Sequence, residues 1–393
     1  MNIIITGDMG SSIMRMLFAC VQSATEHCIL TLKGKGKEMG SSTNIAWCDM
    51  TFNPWTGCTK VSPGCANCYA EGWSKRSGIV KWGMGQPRRR TSEANWKLPL
   101  KWNREGHLNY EKRNGYRPKV FCASLADWLD HEVPHGWRVD LLNLIAETPY
   151  LDWLLLTKRP ESWSARLHEC AYASPLAAEW INGNPPPNVW VGTTVEDQAR
   201  ADERIPLLLE IPAKVRFLSC EPLLGPVTLP YIDFPQAWEI AKSAPSAQHD
   251  PLCSYRKSGG GILCDCDVLT KRSGMDGIHW VICGGESGPG ARPMHPDWAR
   301  LLQQQCEEQG VSFLFKQWGE WCPATEGFGV TGNVMPDTGE KFRWIGWDGK
   351  TKNPSFHGLV PPVMAIAKQG KQRAGRLLDG REWNEFPKAG GEK

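Results

Sequence analysis

No stretch of 18 or more apolar residues occurs in this 393-residue chain, which excludes a membrane-spanning helix of ordinary length. Charge of one sign is also scarce. Lysine and arginine total 45 against 42 aspartates and glutamates, for a net charge of +3. That balance produces no global basic field, so any contact with nucleic acid has to come from a local patch. No G-x-G-x-x-G or Walker-type loop opens a helix, which removes the common dinucleotide and P-loop folds. No solenoid-type repeat is visible. The run Ile13 to Cys20 has a short apolar stretch and little upstream charge, so no signal peptide is expected. Residues 1–38, which close on the linker-like Lys33 to Glu38, read as a loose, disordered leader or an extended gene start before Met39.

What is present points to a globular enzyme-sized protein. Apolar residues make up 41% and charged residues 22%, an ordinary soluble balance. Fifteen cysteines is a high, odd and irregularly spaced count. It argues against a disulfide framework and for a reducing cytoplasm with some metal-bound thiolates. Twenty tryptophans are expected mostly in the core, with a minority free to stack on a base or an adenine ring.

The most informative cysteines are Cys58, Cys65 and Cys68, in the run Asn53-Pro54-Trp55-Thr56-Gly57-Cys58 to Cys68-Tyr69. Their pattern is C-x6-C-x2-C, with no fourth cysteine following. Gly57, Pro63 and Gly64 permit the tight turns that aim several sulfurs at one centre. Three thiolates can hold three corners of a 4Fe–4S cubane and leave one iron open to S-adenosylmethionine. The alternative is a zinc site completed by Cys48 or a distant histidine, since a closed zinc site takes four ligands.

Beyond this loop, short apolar runs alternate with helical patterns. The runs 119–124, 153–158, 189–194, 215–221, 279–285 and 312–317 suit parallel strands buried on both faces. Helical spacing occupies 139–147, 160–169 and 198–209, and 297–306 opens on Asp297 as N-cap candidate. The class is therefore α/β, a parallel TIM-like βα barrel, partial or complete, spanning 39–330. Chemistry in such barrels sits at the C-terminal strand ends. Here those ends carry Ser124, Asp127, Thr157, Lys158, Thr193, Glu196, Ser219, Glu221, Glu286 and Lys316. A polar insertion at 242–277 holds Cys253, Cys264 and Cys266 near His249, a weak zinc-knuckle candidate. Residues 331–393 read as an irregular extension packing on the barrel, with a basic helix over Val363 to Leu378.

The run from 44 to 69 resembles a phage-associated three-Cys-motif family of unknown function, often grouped with radical S-adenosylmethionine (radical SAM) enzymes. Leu156-Thr157-Lys158-Arg159-Pro160, Gly192 to Glu196, Ser219 to Leu223, Gly284 to Pro289, Phe315 to Glu320 and Gly375 to Arg381 fit the same family. The resemblance implies a radical SAM barrel, a 4Fe–4S cluster, S-adenosylmethionine as cosubstrate and a reducing partner such as flavodoxin or ferredoxin. The substrate it implies is a nucleic acid or nucleotide, for example a modified base in phage DNA. Well-known radical SAM enzymes have three residues in the first cysteine gap, and their glycine-glycine-glutamate motif comes early. Glu286 is therefore not assigned to the methionyl amine.

Chemistry narrows the candidate contacts. A methionyl carboxylate wants a cation at a strand end, which Lys158 or Arg159 supplies. Ribose hydroxyls suit Glu196, Thr193 or Glu221; Ser124 and Asp127 follow an early strand where the amine would lie; Tyr69 is placed for the adenine. Cys122, Cys220 and Cys283 fall near strand ends and are weak candidates for hydrogen-atom donation, with buried packing the commoner role. Arg88-Arg89-Arg90, close in sequence to Trp82, Trp96 and Trp102, is the best local basic and aromatic patch. The competing reading is a non-catalytic zinc or iron–sulfur protein that binds nucleic acid, and a third is a photolyase-like lesion repair enzyme.

Overall fold

The computed structural model describes residues 43, 45–229, 277–324, 342–352 and 357–387. Contacts divide the chain into Met1–Ser42 and Thr43–Lys393, and every described residue belongs to the second unit. The leader lies outside the described residues, as do the insertion's cysteines and nearly all of 242–277.

The strands in chain order are β1 (Met50–Phe52), β2 (Trp55–Thr56), β3 (Arg89–Arg90), β4 (Lys119–Cys122), β5 (Asp152–Thr157), β6 (Val189–Thr194), β7 (Val215–Cys220), β8 (Trp280–Gly284), β9 (Ser312–Gln317), β10 (Trp321–Pro323), β11 (Phe342–Gly346), β12 (Thr351–Lys352) and β13 (Val363–Lys368). Seven form one parallel sheet in the order β1-β4-β5-β6-β7-β8-β9. All six apolar runs expected as strands are strands, within a residue or two at each end. Their side chains are buried almost throughout, as a sheet covered on both faces requires.

The sheet is curled into a half-barrel. Trp47 shows the curvature. Its ring lies 4.4 Å from Phe121 on β4, 6.2 Å from Phe217 on β7 and 6.3 Å from Trp280 on β8. In a flat sheet, strands three and four positions apart would be separated by roughly 14 and 19 Å. One indole can touch all three only if the strands bend around it. Leu154, Trp190, Ile282 and Leu314 complete this inner cluster. Among the described residues β1 and β9 do not pair, so the sheet does not close.

The crossovers are helical. His135–Glu147, Trp163–Cys170, Gln198–Glu210 and Pro296–Gln309 cover the expected helical segments. At Pro296–Gln309 the cap is His295, whose Nδ1 accepts from the Asp297 backbone N–H. Asp297 is thus in the first turn and is not the cap.

The C-terminal part differs from expectation. It contains an antiparallel sheet in the order β10-β13-β11-β12, which begins at Trp321. Val363 to Leu378 is not one helix. Its first half is β13, flanked by β10 and β11 and burying Ile366 and Ala367; only Lys371–Ala374 is helical. Two hydrogen-bonded neighbours outweigh a helical pattern that buries no continuous face. The last described residues return to the barrel, where Asn384 bridges Leu314 and Phe386 packs on Trp280. Among the described residues no helix is long and apolar enough to cross a membrane.

Candidate functional site

A cavity of about 430 Å³ opens at the C-terminal ends of the parallel strands. Cys58, Cys65 and Cys68 all line it. They share it with Tyr69, Ser124, Asp127, Lys158, Arg159, Ser219, Glu221 and Lys316. The loop that carries the cysteines follows β2, and helix α1 (Tyr69–Ser77) begins immediately after Cys68. Gly57 starts the loop at φ +106°, backbone that side-chain-bearing residues rarely adopt.

Four buried or half-buried groups brace the loop, three of them from the ends of the parallel strands. After β5, the Arg159 guanidinium donates to the Cys58 sulfur at 3.6 and 3.7 Å and to the Thr59 carbonyl at 2.7 Å. After β6, the Glu196 carboxylate accepts the Gly64 N–H at 3.1 Å. A Cβ at Gly64 would stand 3.0 Å from that carboxylate oxygen, so any larger residue would push the Glu196 carboxylate back by a few tenths of an ångström. After β8, Glu286 accepts from the Asn67 amide at 3.0 Å and is held by Arg292, which also donates to the Pro63 carbonyl. Arg88 donates to the Thr59 hydroxyl at 2.8 Å while paired with Asp130 at 2.8 Å.

The electrostatics follow from burial. Burial, aided by Asp127, pushes the free Cys58 thiol up to about 12, with Arg159 pulling it back. Burial also works to raise Glu196, but Arg204, 3.0 Å away, overcomes it and holds the carboxyl below its usual range. Glu286 behaves likewise: Arg292 and Asn67 outweigh the cost of burial.

The sequence-predicted residues fall into two groups. Lys158 lines the cavity, donates to the Thr194 hydroxyl at 3.1 Å and makes no ion pair among the described residues. Glu221 lines it in a bidentate pair with Lys316, at 2.6 and 2.9 Å. Ser124 lines it and exchanges hydrogen bonds with Asn53. Tyr69 is 60% exposed at the rim, its hydroxyl donating to the Ser124 carbonyl. Trp82, set aside with the arginine patch on sequence grounds, also lines the cavity.

The other group is corrected. Thr193 is fully buried, donates to the Thr157 carbonyl and does not line the cavity. Glu196 does not line it either, being engaged behind the loop. Asp127 lines the cavity, but both oxygens are saturated by Thr157, Leu129, Lys158 and Arg159, which leaves no place for an amine. Cys122, Cys220 and Cys283 have no exposed surface and lie off the cavity, with burial pushing each thiol up. They pack the sheet and are not placed to meet a substrate. Two of the three arginines in the run are engaged: Arg88 is buried in its ion pair, and Arg90 sits 3.9 Å over Trp96 and pairs with Asp140, while Arg89 is exposed and donates to the Ile79 carbonyl. Asn67, Arg292 and Arg88 as loop braces were not read from sequence, because their partners are 29 to 229 positions away. A hint existed only for Asn67, which sits between two cavity-lining positions.

Cys58, Cys65 and Cys68 are the only cysteines lining the cavity among the described residues. Cys48, the candidate fourth zinc ligand, does not line the cavity and packs against the core beneath it. Among the described residues no group of three or more His, Cys, Asp or Glu side chains is arranged to hold a metal ion. A single ion needs ligands converging at about 2.0 to 2.3 Å. A cubane takes each thiolate at a separate corner, and three cysteines line the one cavity here.

A family model described as "protein of unknown function (DUF5131)" matches residues 42–387. No curated protein and no solved structure matches the chain.

Proposed function

The chain belongs to the DUF5131 family, and from its site we propose that it is an iron–sulfur enzyme of radical SAM type. The single observation that supports this reading is that Cys58, Cys65 and Cys68 line one cavity at the C-terminal ends of a parallel half-barrel, with no fourth cysteine lining it among the described residues. In this reading those three thiolates hold a 4Fe–4S cluster. When bound, the cluster supplies the electron that cleaves the sulfonium of S-adenosylmethionine to an adenosyl radical.

The chain's own residues bind and orient. Arg159 is committed to Asp127, Thr59 and Cys58. That leaves Lys158 and Lys371, the cavity-lining cations with no carboxylate partner among the described residues, and of these we assign the methionyl carboxylate to Lys158, at the end of β5. The Glu221–Lys316 pair offers an acceptor for ribose hydroxyls. Tyr69 and Trp82 provide aromatic surface at the rim for adenine or for a substrate base. A nucleic acid or nucleotide is the substrate class we propose, and a duplex would have to extrude the base to reach the cavity. A low-potential donor of flavodoxin or ferredoxin type completes the scheme.

Anaerobic preparation tests the proposal. The expected result is a brown protein with about four irons per chain and 5′-deoxyadenosine release from S-adenosylmethionine with dithionite. Cys65→Ala should abolish both. A colourless protein holding only stoichiometric zinc after anaerobic reconstitution with iron and sulfide would refute it in favour of a structural metal site.

A further inference from the structure

We propose that Arg159 is a positioning residue that raises the reduction potential of the cluster through Cys58, and that Asp127 sets how strongly it does so. The inference rests on the cluster reading above and assigns a role inside it.

The three cysteines are not equivalent. Two guanidinium nitrogens of Arg159 approach the Cys58 sulfur at 3.6 and 3.7 Å. Among the described residues the sulfur of Cys65 has only the Ser62 hydroxyl, at 3.9 Å. One ligand sulfur therefore carries charge-assisted N–H contacts, and the guanidinium that makes them is 4% exposed, where water screens little. One-electron reduction, by dithionite or a flavodoxin-class donor, adds one negative charge to the cluster and moves no proton. A fixed positive charge and hydrogen bonds at a ligand sulfur favour the reduced form.

Asp127 is built to hold that guanidinium still. Its Oδ2 accepts from Arg159 at 2.9 Å, and the same carboxylate is pinned by the Thr157 hydroxyl and by the Leu129 and Lys158 backbone N–H groups. Its negative charge also offsets part of the Arg159 field. Asp127→Asn keeps an acceptor oxygen for Arg159 and removes the offset. Arg159→Met removes the field. The two substitutions should move the potential in opposite directions.

The test is an EPR-monitored redox titration of anaerobically reconstituted full-length protein, with iron and sulfide counted beforehand. Arg159→Met should shift the potential negative by at least a tenfold change in the reduction equilibrium, about 59 mV for one electron. Arg159→Lys, which keeps the charge with fewer donors, should lie between it and wild type. Asp127→Asn should shift it positive. Shifts of the same sign in Arg159→Met and Asp127→Asn, or no shift in the former, would overturn the inference while leaving the cluster in place. If Arg159→Met does not fold, the pair Arg159→Lys and Asp127→Asn decides by the same opposition of sign. A wild-type protein that binds no iron overturns the cluster reading instead, and this role with it.

Discussion

Replacing Glu196 by glutamine removes one charge from a pair that has almost no contact with water. The Glu196 side chain is fully buried and that of Arg204 is 3% exposed, with 3.0 Å between them. The new amide keeps the volume and one carbonyl oxygen, which can still accept from the Gly64 N–H or from Arg204. What it cannot supply is the counter-charge. Arg204 would remain buried with only the Thr194 carbonyl, at 2.8 Å, as a strong acceptor. Breaking a buried pair by removing one partner costs about 3–5 kcal/mol. Set against a typical total stability of about 5–15 kcal/mol, the loss is large. Urea denaturation of the wild type and of Glu196→Gln measures it. A second variant separates charge from packing: Glu196→Gln with Arg204→Met removes the stranded cation and should recover much of the loss. A Glu196→Gln cost below about 1 kcal/mol, or a double variant as unstable as the two singles summed, would refute the view that this pair carries the loop from behind.

Two further outcomes are expected. Lys158→Met should weaken S-adenosylmethionine binding to the anaerobic protein by roughly tenfold to a hundredfold, the worth of a charge-assisted contact of about 1.5–3 kcal/mol; an unchanged dissociation constant would remove Lys158 from the site. His295 should make stability fall in mild acid. Burial lowers its pKa from 6.5, with Asp297 opposing and Arg300 assisting, and the neutral ring both accepts from the Asp297 N–H and holds the Pro362 carbonyl. Below about pH 6.5 the unfolded chain gains a proton that the folded ring resists, so stability drops as pH falls toward the lowered native value, by up to about 1.4 kcal/mol per pH unit. Urea midpoints at pH 7.5 and 5.5 check this, and His295→Gln should flatten the difference.

The half-barrel was legible because its signals are local. A strand such as Val189–Thr194 is a continuous apolar run, and Gln198–Glu210 has helical spacing after the capping Asp197. The three cysteines and the polar strand ends were legible for the same reason. β1 was not, because Met50–Phe52 is three residues long and gains its place only by pairing with β4. β13 misled because Val363–Lys368 is partly apolar beside a basic segment, and only its two neighbours make it a strand. The arginine run misled in another way. In sequence Arg88 is one of three like charges, and its burial depends on Asp130 and Glu132, more than 40 positions away.

The same dependence on distant partners explains why strand-end position overstates how many residues can touch a ligand. Fixing a cysteine loop over a barrel mouth itself consumes polar groups, since each loop N–H and carbonyl taken from water needs a partner. Here Arg159 and Glu196 supply them at the ends of β5 and β6, and after β8 Glu286 holds the Asn67 side-chain amide and, through Arg292, the Pro63 carbonyl. Two of these three are carboxylates that a ligand-centred reading would offer to ribose or to an amine. Once they are assigned to the loop, the charged groups at the strand ends left facing the cavity are Lys158 and the Glu221–Lys316 pair, beside the uncharged Ser124 and Ser219. The two sets also predict different phenotypes. Substitutions in the bracing set should lower stability and metal retention together, whereas substitutions in the ligand-facing set should leave metal content intact and change binding alone.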